Sequence, residues 1–101
     1  MNYINSKEHK EWSRKVRERD GCCMICKTTT KRLNAHHLIP KNFLNYRSDV
    51  TNGFTLCYGC HTGGRFSAHK NPIWFVKWLS KNYPEVYWLA LDRTRVIDDD
   101  L

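Results

Sequence analysis

A chain of 101 residues, 41% of them hydrophobic and 27% charged, is sized for one domain with a limited core that an added staple would help to hold. Seventeen Lys and Arg against ten Asp and Glu leave a net charge of +7, which favours a polyanionic partner such as DNA or RNA. No apolar run approaches the roughly 20 residues that cross a bilayer, and five cysteines behind the polar start Met1-Asn2-Tyr3 argue against a secreted disulfide framework, so a soluble chain in the reducing cytoplasm is expected.

The first element expected is a helix over residues 5–19, with Asn5 as N-cap and Glu8 completing a capping box. Ile4, Trp12 and Val16 mark its apolar stripe. Lys7, Lys10, Arg14, Lys15 and Arg17 occupy the other face, which either follows a phosphate backbone or is simply solvated. His9 reads as a surface residue of this helix. Asp20-Gly21 ends it, because glycine tolerates the left-handed cap.

Cys23-Met24-Ile25-Cys26 follows, and Cys57-Tyr58-Gly59-Cys60 answers it across residues 27–56. Each Cys-x2-Cys turn brings two thiolates to one point, and two such turns make a tetrahedral zinc centre of Cys23, Cys26, Cys57 and Cys60. Cys22 is left over as a small thiol, or as a replacement ligand for Cys23, which has the better spacing. Between the knuckles, residues 31–38 should form a strand that Pro40 ends, since proline cannot continue a ladder. Residues 41–51 read as a polar loop anchored by Phe43, Leu44 and Tyr46. Residues 54–57 should form a second strand antiparallel to the first. A helix is expected to begin near Cys60 to Thr62, weakened by Gly63-Gly64.

Beyond Asn71-Pro72 the pattern becomes helical over residues 73–82, with Ile73, Trp74, Val76, Trp78 and Leu79 at helical spacing and Lys77 and Lys81 outside. Pro84 starts a further helical run to Leu91. Residues 93–101 read as a charged tail whose last acidic residues cluster at Asp98 to Asp100.

The stretch Ala35-His36-His37-Leu38-Ile39-Pro40 carries the chemistry. Successive side chains of a strand point to opposite faces, so His36 and His37 cannot share one job. A neutral imidazole can deprotonate water near physiological pH, and a bound cation can stabilise developing negative charge. Alternation lets one histidine bind metal while its neighbour stays free.

RDGCCMIC, then AHHLIP, then NGFTLCYGCH resembles the HNH endonuclease family in its cysteine-bearing, phage-type version, over roughly residues 19–61. The resemblance implies an α+β fold: a small zinc-stapled ββα-metal (His-Me finger) domain over residues 19–69, with a basic N-terminal helix. An aromatic-rich helical extension over residues 72–92 would follow it. It implies His37 as general base, His36 and His61 as ligands of the catalytic divalent metal, and Asn52 as the residue that holds the loop. Imidazole ligands suit Mn, Ni or Zn, and Mg is a further candidate. Where some members carry a third histidine four residues after the last, this chain has Arg65, a candidate phosphate contact together with Lys41; His69 is a possible third ligand. The expected activity is nicking or cutting of double-stranded DNA, leaving a 5′ phosphate and a 3′ hydroxyl, in the host cytoplasm if the chain is phage-encoded. The alternatives are a non-catalytic zinc module that binds nucleic acid, and an adaptor of phage terminase or packaging proteins.

Overall fold

The computed structural model describes residues 2–99 as a helix, a two-stranded antiparallel sheet and two further helices. Helix α1 runs Lys7–Asp20, and its cap is Ser6, whose hydroxyl accepts the His9 N–H at 3.1 Å. The cap expected at Asn5 is thus corrected by one residue: Asn5 lies inside a short 3-10 turn, Tyr3–Asn5, capped by Asn2. Two cap-competent residues stand side by side, and the preceding turn decides between them. Gly21, at φ 70°, closes the helix as expected.

Strands β1 (Leu33–His37) and β2 (Gly53–Cys57) pair antiparallel, with His37 opposite Gly53 and His36 opposite Phe54. β2 is buried along its whole length, because helices cover both faces of the sheet. On one face Trp12 and Val16 of α1 pack over Gly53 and Thr55, and the Thr55 hydroxyl donates to the Val16 carbonyl. On the other face Phe54 and Leu56 join a core with Cys23, Cys57, Ala68, Phe75 and Leu79.

The connection between the strands contains two 3-10 turns, Leu44–Tyr46 and Val50–Asn52. Phe43 and Leu44 are exposed rather than anchoring. Tyr46 is held from outside the loop, by the Arg93 guanidinium 4.6 Å from its ring centre. After β2 the expected helix is one wide, π-type turn, Gly59–Gly63, which ends where the backbone doubles back. A Cβ on Gly64 would sit 2.7 Å from the Gly59 carbonyl oxygen, so the return needs glycine there.

Helix α2 (Pro72–Asn82) starts on an Asn71 cap and buries Phe75 and Leu79. Ile73 and Val76, read as part of its apolar stripe, face outward, while Trp74 and Trp78 are partly buried against the core. Helix α3 spans Pro84–Asp99 and so absorbs most of the expected charged tail; Asp100 and Leu101 lie outside the described residues. Arg93 also pairs with Asp49 at 3.5 Å, tying α3 to the inter-strand loop. Among the described residues no helix is long and apolar enough to cross a membrane.

Candidate active site

Cross-strand partners share a face of the sheet, so the register turns the two histidines apart. His37, opposite Gly53, faces α1; His36, opposite Phe54, faces α2. The His37 imidazole stacks on the Trp12 indole, with ring centroids 3.8 Å apart and planes 11° apart. Its Nε2 lies 2.9 Å from the Arg47 carbonyl oxygen. A carbonyl can only accept, so Nε2 carries the proton and the lone pair of the neutral ring is at Nδ1. Burial lowers the pKa of His37 and outweighs the opposing pull of that carbonyl; the charge of nearby Lys41 lowers it further.

On the opposite face His36 meets Phe75 edge-on, with centroids 5.2 Å apart and planes at 85°. His61 and His69 complete the cluster, each with its ring centroid 5.1 Å from that of His36. One ring nitrogen from each of the three lies within 4.8 Å of the others, and the Nε2 atoms of His61 and His69 are 3.0 Å apart, a separation suited to a shared proton or a shared cation. The doubled-back chain brings His69 here: Ala68 N–H donates to the Cys60 carbonyl and His69 N–H to the His61 carbonyl. Arg65 is exposed on the turn between them.

A divalent cation fits this donor set. The Nδ1 of His36 is buried with no hydrogen-bond partner among the described residues, which costs about 1–3 kcal/mol unless something unseen satisfies it. Burial pushes His36 down to about 3, and burial with the neighbouring histidines pushes His61 down to about 4. Both rings are therefore neutral near pH 7, the form that donates a lone pair to metal.

The Asn52 side chain bonds to backbone and not to a histidine ring. Buried, it accepts from the Ile39 N–H at 2.9 Å and donates to the carbonyls of Ile39 and Tyr46, at 3.0 and 3.2 Å. It brackets both ends of the loop that carries Arg47. Lys41 is exposed, and its charge is felt at both His9 and His37.

Cys23, Cys26, Cys57 and Cys60 bring their sulfurs within 4.8 Å of one another, and none forms a disulfide. The Cys26–Cys57 sulfur separation of 3.7 Å is close to the edge of about 3.8 Å of a tetrahedron with metal–sulfur bonds of about 2.3 Å. Burial, then the neighbouring Cys23, raises the Cys60 thiol, so four thiolates need a cation between them. Cys22 stands outside the cluster.

Three further residues shape the site without having been singled out for it. His9, expected on the surface, is half-buried between the rings of Tyr3, Trp12 and His37. Phe75 forms the apolar wall of the His36 cluster, and Tyr3 contacts the Arg47 carbonyl. The spacing of His9, Trp12 and Val16 on one face of α1 was the available signal for His9; Tyr3 and Phe75 offered none. His36, His37, His61 and His69 all open onto one groove of about 1060 Å³ along β1.

A family model described as HNH endonuclease matches residues 23–64. Anaredoxin from Nostoc sp. (strain PCC 7120 / SAG 25.82 / UTEX 2576) is 36% identical over 56 residues, which cover 54% of this chain and 72% of that protein. No solved structure matches the chain.

Proposed function

The chain belongs to the HNH endonuclease family, and on that premise we propose that it is a metal-dependent hydrolase of double-stranded DNA. His37 is the general base, and His36, His61 and His69 hold the catalytic divalent metal. The observation that carries this reading is the division of one His-His step between two faces of the sheet, both open to one groove. A phosphodiester lying in that groove can meet a proton acceptor on one side and a ligand cluster on the other.

His37 Nδ1 takes a proton from water as the water oxygen bonds to phosphorus, and the bond from phosphorus to the 3′ oxygen breaks. The departing 3′ oxygen takes a proton from solvent water, and the products are a 5′ phosphate and a 3′ hydroxyl. His36, His61 and His69 would hold a divalent cation, which when bound would supply the positive charge that stabilises the charge developing in phosphodiester hydrolysis. Neutral imidazole donors suit Mn, Ni or Zn better than Mg. Phe75 keeps bulk water from one side of the His36 ring. Asn52 holds the loop that presents the Arg47 carbonyl to His37. Lys41 and Arg65 contact phosphates that flank the scissile one. The four cysteines hold zinc, which staples a two-stranded hairpin too short to stand alone, and the reducing cytoplasm keeps their thiols available.

The test is supercoiled plasmid incubated with the protein and each of Mg, Mn, Ni and Zn, beside EDTA and His37→Ala controls. Nicking should require metal and fall by about a hundredfold or more in the variant. Absence of metal-dependent nicking, or equal nicking by His37→Ala, overturns the proposal. DNA binding without cleavage would favour a non-catalytic module or an adaptor of a packaging complex.

A further inference from the structure

The Arg47 carbonyl that fixes His37 is itself held by a second donor. Tyr3 lies well before the family-matched residues 23–64, in the turn that precedes α1, yet its hydroxyl donates to the Arg47 carbonyl at 2.5 Å. His37 Nε2–H occupies the same oxygen at 2.9 Å. A carbonyl oxygen has two lone pairs, and these two donors use both.

The surrounding contacts fix Tyr3 in that role. The Arg47 guanidinium carbon lies 4.2 Å from the centre of the Tyr3 ring, and the ring also meets His9 edge-on at 5.1 Å. Tyr3 Oη lies 3.0 Å from Ser48 Oγ, and the Ser48 hydroxyl donates to the Glu8 carboxylate. Each hydroxyl has one proton: Ser48 gives its own to Glu8, and Tyr3 gives its own to Arg47. Next along the loop, Trp12 Nε1–H donates to the Asp49 carbonyl at 2.8 Å. The N-terminal turn and α1 thus grip residues 47–49 at successive positions, from outside the segment that carries the family motif.

We infer that Tyr3 is a positioning residue for His37: its hydroxyl holds the Arg47 carbonyl on Nε2–H and so keeps the ring in the tautomer that leaves Nδ1 open to the groove. Without that hydroxyl the carbonyl has one donor instead of two, and the peptide plane can turn away from the imidazole. The ring is then free to exchange tautomers, and a share of molecules presents a protonated nitrogen where a base is needed. The inference rests on His37 being the base of the proposed nuclease.

The experiment uses Tyr3→Phe, which keeps the ring and its contacts with Arg47 and His9 and removes one oxygen. Two quantities are read on the metal-loaded full chain, after a thermal melt has established that the variant folds. Single-turnover cleavage at saturating plasmid should slow roughly tenfold, with DNA affinity unchanged, as for other outer-shell partners of a working imidazole. Long-range proton–nitrogen NMR of the 15N-labelled imidazoles at mildly alkaline pH should give one Nε2–H tautomer for His37 in the unaltered chain. In Tyr3→Phe it should give a mixture. An unaltered rate in the variant, or a His37 spectrum that stays purely Nε2–H, overturns the inference. If the unaltered chain cuts no DNA, the nuclease reading falls by itself, and the spectra still decide whether Tyr3 sets the tautomer.

Discussion

The indole of Trp12 lies flat on the imidazole of His37, 3.8 Å between centroids, and this stack joins the N-terminal helix to the working strand. Trp12 is fully buried and its Nε1–H is bonded to the Asp49 carbonyl. Trp12→Phe should therefore destabilise the fold by about 1–3 kcal/mol through the lost hydrogen bond and the void. It should also lower the cleavage rate, since the smaller ring covers less of His37. Urea denaturation followed by circular dichroism, beside the plasmid assay, checks both.

Gly53 sits opposite His37 and directly beneath α1. A Cβ there would lie 2.3 Å from Val16 Cγ2 and 2.9 Å from Trp12 Cζ2. Gly53→Ala forces the helix off the sheet and should cost about 1–3 kcal/mol, as overpacking of a core does. A midpoint in urea equal to that of the unaltered protein would refute the close-approach argument.

His69 is exposed, so its removal leaves the core intact while taking one imidazole from the cluster. His69→Ala should weaken binding of Mn or Ni by roughly tenfold or more, a lost ligand costing at least as much as a lost outer-shell partner. Arg65→Ala should leave metal affinity alone. Isothermal titration of the two variants separates them, and equal affinities in both would remove His69 from the ligand set.

The four cysteines predict dependence on a bound ion. The purified protein should contain one equivalent of zinc at the cysteine site, and a strong chelator should unfold it, because binding energy at such a site is folding energy. Cys57→Ser should behave like the chelated protein. Elemental analysis and a thermal melt with and without chelator decide the matter.

Asp20 offers a test in pH. Its side chain is 7% exposed; burial alone would raise its pKa, but hydrogen bonds from Arg19 and the Thr55 N–H outweigh burial and hold it below the usual carboxylate value. A depressed carboxyl contributes stability that is present above its unfolded pKa and is lost as pH falls through the folded one. Asp20→Asn should therefore cost about 1–2 kcal/mol at neutral pH and progressively less in acid. Denaturation curves at several pH values should converge, and a constant gap would contradict the linkage.

Much of this protein was legible in the order of its residues because the relevant constraints are local. A Cys-x2-Cys turn brings two sulfurs together whatever surrounds it, and adjacent histidines in a strand must diverge. Gly21 accepts the left-handed cap that other residues resist. The antiparallel pairing and the parting of His36 and His37 follow from such short-range rules.

The rest depends on where distant elements meet. Gly63 and Gly64 leave the chain direction open in sequence, and only the backbone bonds from residues 68 and 69 to residues 60 and 61 carry His69 to His61. Phe75 rather than Ile73 or Val76 turns inward because β2 is covered on both faces, and the burial of Phe54 selects the side of α2 that meets it. Tyr3 and His9 reach His37 because the small residue Gly53 lets α1 lie close on the sheet. Residue order was enough to single out the four cysteines and the adjacent histidines, since their spacing is a local property. Packing between the N-terminal helix, the hairpin and α2 decided their company, since close approach depends on the shapes of elements far apart in the chain.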